Sequence, residues 1–319
     1  MALAFSPGSP TDWLFETLHE KYVLRNLVAC ALIGFTNGFL GTFVVLRRLA
    51  LMADSLSHSL LPGLAVGLIL FGLAPQGLFI GALCAALIVA LGAQLLARGS
   101  RIKEDTALGI LYTIAFSSGI VLLRFVKVRI SLMHYLFGNI LIVSNADLWT
   151  TYGITLIVVP VLVALQRPLM LTLFDPNVAA SQGVKVNALN LVLMVCLVLT
   201  LIASLQAIGV ILLLGLLIAP AATMYLLCDS YPLMLWGGGF LGAGGACVGL
   251  LVSHRYDLPS GACIVLVLGL TFCVAYLVSP RYGFLPRLLR RRHFHAESLA
   301  RWPGEPAKAE EPHEHHHHH

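Results

Sequence analysis

Charged residues are scarce in this sequence. They make up 11% of its 319 residues, whereas hydrophobic residues make up 58%. An average soluble domain is about one-quarter charged, so this chain has too little charge to cover a surface that faces water. The composition therefore predicts an all-α integral membrane protein whose long apolar runs lie in lipid.

Motifs for nucleotide binding and hydrolysis are also missing. The sequence has no GxxxxGK[ST] loop, so it cannot bind ATP by that device. It also has no nucleophile elbow and no Ser-His-Asp order. We therefore expect no enzyme activity and no permanently bound cofactor, and active transport would need a separate energy-supplying subunit.

Paired cysteines are absent as well. Seven cysteines are scattered through or beside apolar runs, and no two form a CxxC pair. This spacing excludes a zinc–cysteine site and a disulfide scaffold, and it indicates thiols that pack as small hydrophobic groups. The first 20 residues lack a basic segment followed by an apolar one, so we predict no cleavable signal peptide.

Apolar stretches that could each cross a membrane fill most of the chain. We predict nine spans, or eight if the apolar region 187–228 does not divide near 206–209. The spans are predicted at 26–46, 50–72, 77–97, 106–124, 147–166, 187–206, 208–228, 233–253 and 261–279. The segment 125–146 is too polar to span and is predicted to be re-entrant or interfacial.

Lysine and arginine indicate the orientation. Nine spans with the N-terminus outside put 14 of the 20 Lys and Arg residues on the inner side, as the positive-inside rule prefers. We therefore expect residues 1–24 outside, a membrane domain over 25–280, and a cytosolic tail over 281–319. The net charge of +5 then reports orientation and not nucleic-acid binding. The terminal run His315–His319 is native or part of an affinity tag.

Asp54 and His58 are the central candidates for function. They are the only acid and the only histidine well inside a predicted span. Ionisable groups at membrane depth are costly and usually face a polar cavity. Their i, i+4 spacing puts both on one helical face, where a carboxylate and an imidazole suit a divalent transition metal. The alternative is an Asp–His hydrogen bond that pins helices together.

Other residues could complete such a site. Candidates for additional path residues are Asn37, Ser57, Ser59 and His134, although the two serines more often bond to their own helix. Pro62 and Gly63 follow the pair directly. They indicate either a helix break that exposes carbonyls at a transport site or an ordinary membrane-helix kink.

The polar stretch 172–186 predicts a short helix on the inner face. Asp175 before Pro176 is typical of a helix N-cap with proline in the first turn, and Gly183 is placed to end the helix. Ala179 and Ala180 lie between them. Such a capped helix suits docking of a partner, and the alternative is a simple surface connector.

Several sequence blocks together resemble the ABC-3 family of permeases from bacterial importers of zinc, manganese and iron. The resemblance covers about residues 25–285. The blocks are 47–48, 53–58 with 61–63, 104–110, 134–139, 174–176 with 183–184, 205–209, 219–223, 257–261 and 279–283.

The resemblance implies a multi-pass permease of the bacterial inner membrane with the C-terminus in the cytosol. Its implied partners are a dimer of cytosolic ATPases, a second permease subunit (the same chain or a paralogue) and an extracytoplasmic metal-binding protein. It implies that Asp54 and His58 lie on the metal path and that 174–186 is the coupling helix. The residues implied there are Phe174, Asp175, Pro176, Ala179, Ala180 and Gly183. Val178 departs from the family pattern, because importers in general have Glu at that position.

The transported metal is open between Mn²⁺ and Zn²⁺, with Fe²⁺ as a further candidate, because mixed Asp/His ligands exclude none of them. Two other functions are considered. An ion-driven secondary carrier would have no need of the capped cytosolic helix. An intramembrane metalloenzyme would need a third protein ligand, and no third residue at membrane depth offers one.

Overall fold

The computed structural model describes residues 21–72, 74–125, 145–208, 210–279 and 283. Within those residues every regular element is a helix. The helices are α1 (Lys21–Leu46), α2 (Ala50–Phe71), α3 (Pro75–Gly99), α4 (Glu104–Leu123), α5 (Asn145–Phe174), α6 (Pro176–Ser181), α7 (Val186–Ile208), α8 (Val210–Leu227), α9 (Tyr231–Tyr256) and α10 (Ser260–Val278).

Eight of these helices are long and apolar enough to cross a membrane, as judged by length and composition. A ninth, α8, contributes a shorter apolar stretch over Leu213–Leu227. Each predicted span overlaps one of these helices, and the predicted division of the apolar region 187–228 falls on residue 209, which lies outside the described residues. The all-α polytopic fold is therefore confirmed. Most of the predicted interfacial segment, residues 126–144, lies outside the described residues.

Helix α5 is longer than its predicted span of 147–166. It has 30 residues and runs to Phe174 with Pro160 and Pro168 inside it. A proline removes one backbone donor and usually kinks a helix, but membrane helices tolerate this loss when neighbours supply other donors. The predicted span ended at residue 166, before Arg167 and Pro168, and the helix continues past both.

Helix α1 packs against α9 with almost no space between the backbones. A Cβ atom added at Gly38 would lie 2.1 Å from the carbonyl oxygen of Gly238, and one at Gly34 would lie 2.4 Å from that of Gly242. Small residues at four-residue spacing allow this closeness in membrane helices. Only glycine therefore fits at these crossings.

A second close crossing joins α2 to α3 and α4. A Cβ atom at Gly63 would lie 2.1 Å from the carbonyl oxygen of Gly81, and one at Gly119 would lie 2.8 Å from the nitrogen of Pro62. Helix α2 is continuous across Pro62 and Gly63, and both residues are buried. Of the two interpretations, the helix break is therefore wrong, and Pro62 and Gly63 are contact points between packed helices.

A three-residue turn joins α1 to α2. The N–H of Leu49 donates to the carbonyl of Val44 at 2.8 Å, and the N–H of Arg48 donates to that of Val45 at 3.1 Å. These two bonds define a Schellman motif, in which Arg48 takes the left-handed position usually held by glycine (φ 58°). The turn ties the end of α1 closely to the start of α2.

Several helix ends meet on the same side of the molecule as this turn. A cleft of about 280 Å³ is lined by residues from the α1–α2 turn and the starts of α4, α6 and α7, and Leu46 lines a second pocket beside Phe174 and Asp229. Short helix α6 and the turn before α2 are therefore neighbours.

Candidate functional site

Asp54 and His58 lie one turn apart on α2, as their spacing predicts. The distance from Asp54 Oδ1 to His58 Nε2 is 3.7 Å. That is longer than a hydrogen bond, which needs about 3.2 Å or less between heavy atoms. The carboxylate and the imidazole therefore converge without satisfying each other, and both keep electron pairs available to a third atom.

Aromatic side chains from α4 form a wall beside His58. The ring of Phe116 meets the imidazole edge-on with centroids 5.5 Å apart, and the ring of Tyr112 lies 6.4 Å away. The sequence analysis missed both residues. Their i, i+4 spacing on the helix that begins at Glu104 is the signal that could have indicated one shared face.

The other side of the pair is open. The side chain of His58 is 36% exposed and that of Asp54 is 45% exposed in the single chain. Among the described residues, no group of three or more His, Cys, Asp or Glu side chains could hold a metal ion. The pair can supply two ligands, so water, backbone or another chain must supply the rest of a coordination shell.

The serines near the pair serve their own helix. The hydroxyl of Ser57 donates to the carbonyl of Ala53 at 2.8 Å, and that of Ser59 donates to Leu56 at 2.7 Å. Both side chains are buried. These bonds match the alternative interpretation of serines that bond within a helix.

Asn37 faces a different neighbour. Its Nδ2 donates to Ser204 Oγ on α7 at 2.6 Å and to the carbonyl of Ile33 at 2.8 Å. The residue is fully buried, and its Oδ1 has no hydrogen-bond partner. Its hydrogen bonds thus join α1 to α7, not to the Asp54–His58 pair. His134 lies outside the described residues.

The short helix α6 has the capping that its sequence predicts. The side chain of Asp175 accepts hydrogen bonds from the N–H groups of Asn177 (2.8 Å) and Val178 (3.1 Å), and Pro176 occupies the first turn. At the other end Gly183 has φ 81°, with Schellman bonds from Gly183 to Ala180 and from Val184 to Ala179.

The outer side of α6 is available to a partner in the single chain. Phe174 is 81% exposed, Val178 and Ala180 are exposed, and Ala179 is buried beneath them. A rigid, doubly capped helix with an exposed phenylalanine before it is typical of a docking element.

Arg47 forms a network beside α6 that the sequence analysis did not predict. Its guanidinium donates to Asn190 Oδ1 (2.6 Å), to the carbonyl of Leu169 (3.2 Å) and to Thr172 Oγ1 (2.5 Å). Burial lowers the pKa of this guanidinium below its usual range. The side chain thus connects the end of α1 to α5 and α7, the two helices that flank α6.

Comparison with known proteins gives consistent relatives. The "Manganese transport system membrane protein MntC" of Halalkalibacterium halodurans is 40% identical over 281 residues, which cover 88% of this chain and 95% of the relative. The "Manganese import system permease protein ScaB" of Streptococcus gordonii is 36% identical, with 86% of this chain and 98% of the relative covered.

The fold also has a solved counterpart. A chain of PsaBC from Streptococcus pneumoniae, solved in complex with Fab, superimposes with a TM-score of 0.77 at 32% identity. The match covers 89% of this chain and all of that chain. A model of the ABC 3 transport family matches residues 19–279. This chain, a multi-pass membrane protein, therefore belongs to the ABC 3 transport family.

Proposed function

We propose that this chain is the membrane permease of an ATP-driven importer of a divalent transition metal, with Asp54 and His58 on the metal path. The observation that carries the proposal is the convergence of the two side chains at 3.7 Å without a hydrogen bond between them. Manganese is the first candidate because the relatives named above are manganese transport proteins. Zinc and ferrous iron accept the same ligand types and are tested as competitors.

The exposed side of Asp54 and His58 is an argument for a second permease subunit at this face. Asp and His side chains that face lipid are costly, and such residues usually face a bundle interior or a water-filled cavity. Since α2 leaves both groups partly exposed in the single chain, a second permease on this face would enclose them in a passage. It would also offer the water and protein ligands that the pair lacks.

The position and exposure of the short helix α6 are the argument for an ATPase partner. Its exposed side lies at the end of the molecule that carries Arg47 and Arg48, which the positive-inside rule assigns to the cytosol. In this orientation, a bacterial inner membrane holds the helices, the ATPase dimer docks on α6, and the tail from residue 281 is cytosolic. Residues 1–24 are extracytoplasmic, on the side from which the metal-binding protein delivers the ion. Hydrolysis then belongs to the ATPase, and the permease has no nucleotide site of its own.

Metal uptake by the reconstituted complex tests the proposal. The permease, its ATPase and its metal-binding protein are placed in proteoliposomes, and Mn²⁺ uptake is followed with ATP inside. We expect Asp54→Asn and His58→Gln to lower uptake by at least roughly tenfold, because even outer-shell changes at metal sites cost ten- to hundredfold. Copurification of the ATPase is expected to stay unchanged.

Matched controls remove the same groups elsewhere. Asp105→Asn changes an exposed acid at the start of α4, and His254→Gln changes an exposed histidine in the last turn of α9. Both controls should transport normally. Full uptake by the Asp54 and His58 variants would remove the proposed site. Uptake without the ATPase would instead indicate an ion-driven carrier, and competition among Mn²⁺, Zn²⁺ and Fe²⁺ identifies the metal.

A further inference from the structure

Arg47 sits between two parts of the molecule that transport must connect. It follows the last residue of α1, and only residues 47–49 separate α1 from α2. Asp54 comes four residues into α2 after Ala50. The guanidinium, however, points to neither α1 nor α2. It donates hydrogen bonds to side chains and a carbonyl on α5 and α7.

The acceptors of Arg47 lie directly beside α6. Thr172 is three residues before the N-cap Asp175, and its hydroxyl also donates to the carbonyl of Leu169 at 2.8 Å. Asn190 lies in the first turns of α7, which begins five residues after α6 ends. One charged side chain therefore joins the helix before α6 to the helix after it.

We propose that Arg47 is the positioning residue through which movement of α6 reaches the helix that carries Asp54 and His58. The inference rests on the proposed function, in which the ATPase docks on α6. The path has three rigid parts. The cap at Asp175 joins α6 to α5, the guanidinium joins α5 and α7 to the end of α1, and the Schellman turn joins that end to α2.

Arginine suits this position for a physical reason. Its planar guanidinium offers five N–H donors in a fixed arrangement, so one side chain can hold acceptors from two helices at once. Hydrogen bonds from an ionised donor are also stronger than neutral ones. Since Thr172 and Leu169 are buried, moving α5 relative to Arg47 would break two hydrogen bonds from a charged donor. The two therefore move together.

The test measures how much metal is transported for each ATP hydrolysed. In the full reconstituted complex, Arg47→Gln should lower the number of Mn²⁺ ions imported per ATP by roughly five- to tenfold, a usual size for coupling between linked sites. ATPase copurification and hydrolysis should continue. A residue that acted only on folding would lower both activities together and leave their ratio unchanged.

Arg101→Gln is the matched control. It removes the same charge from an exposed arginine between α3 and α4, which has no part in the proposed path. Its ratio should equal that of the wild type. Arg47→Lys keeps the charge without the planar arrangement of donors, so its ratio should lie between those of Arg47→Gln and the wild type.

Variants of the residues that accept hydrogen bonds from Arg47 test whether these bonds, and not the presence of the arginine alone, are needed for coupling. Thr172→Val and Asn190→Leu leave Arg47 in place but remove one acceptor each, and both should lower the ratio. Adding Arg47→Gln to either should cause little further loss, because the changes act on one network.

A wild-type ratio in Arg47→Gln, equal to that of Arg101→Gln, would overturn the inference. If the complex with Arg47→Gln does not assemble, Thr172→Val provides the test. A wild-type ratio of Mn²⁺ imported per ATP in Thr172→Val would then overturn the inference. Uptake by the wild-type complex tests the proposed function separately from this inference. If the wild-type complex shows no ATP-dependent Mn²⁺ uptake, the proposed function itself is rejected.

Discussion

The crossing of α1 and α9 allows a stability prediction from a single methyl group. A Cβ atom at Gly38 would lie 2.1 Å from the carbonyl oxygen of Gly238 and 2.8 Å from its carbonyl carbon. Both are backbone atoms and cannot rotate away. In Gly38→Ala the two helices must therefore separate by roughly 1 Å to reach ordinary contact in a close-packed interior.

That separation would disturb the aromatic contacts across the same interface. Phe39 and Trp236 have ring centroids 5.4 Å apart, and so do Phe35 and Phe240. Overpacking of this kind costs about 1–3 kcal/mol, and the better helix propensity of alanine returns at most about 1 kcal/mol. We expect a net loss of about 1–2 kcal/mol for Gly38→Ala.

Thermal unfolding of the detergent-purified chain measures this loss. On the scale of 2–4 °C per kcal/mol, Gly38→Ala should lower the Tm by roughly 2–8 °C. Gly244→Ala is the matched control, because it makes the same change on α9 where an added Cβ meets nothing within 4 Å. Its Tm should be equal to or above that of the wild type. Equal Tm values for the two variants would refute the argument from the close crossing.

Two further predictions concern helix ends. Arg48→Gly should stabilise the detergent-purified chain by about 1 kcal/mol and raise its Tm, because Arg48 holds a left-handed conformation that favours glycine; a lower Tm would contradict this. Asp175→Ala should weaken binding of the ATPase to the permease by roughly fivefold in a titration, because loss of an N-cap costs about 1 kcal/mol. Asp175→Asn should bind normally since asparagine caps equally well, and equal weakening by both variants would show that charge and not capping is needed.

The membrane helices were predictable because their signal is local. Each apolar run is long enough by itself to require a helix in lipid, so composition and length locate it without knowledge of its neighbours. The helix ends were less predictable. At Arg167 and Pro168 the local signal indicates an end, yet α5 continues to Phe174, and Arg47 donates a hydrogen bond to the carbonyl of Leu169 in its last turns.

Helix partners depend on residues far apart in the chain. The contact of α1 with α9 joins positions about 200 residues apart, and its only sequence signal is that both helices have glycine pairs at four-residue spacing. Some other described glycines, such as Gly109 and Gly153, have no neighbour within 4 Å of an added Cβ atom. The sequence therefore indicates that close crossings exist without identifying which helices form them.

The candidate sites also combine features that local spacing predicts with contacts between distant segments that it does not predict. The convergence of Asp54 with His58 and the cap at Asp175 follow from spacing within one helix or turn, and the structure has both. The aromatic wall beside His58 and the hydrogen bonds of Arg47 depend on α4, α5 and α7 arriving from elsewhere in the chain. The sequence placed Arg47 on the inner face and in one of the blocks that resemble the ABC-3 family. It did not predict these hydrogen bonds, because Asn190 and Thr172 carry no signal of their own.

A site with two ligands is also what a transport step requires under the proposed function. An ion that is conducted must bind well enough to enter and weakly enough to leave. A closed shell built from one rigid chain would hold the ion in every conformation, because none of its ligands could move away. Asp54 and His58 lie on one helix, and within the described residues no third strong ligand joins them. The remaining ligands must then come from water or from a partner that moves relative to α2, so movement of α2 changes the number of ligands. Since a tenfold change in affinity needs only about 1.4 kcal/mol, loss of one such ligand is enough to turn a binding site into a releasing one.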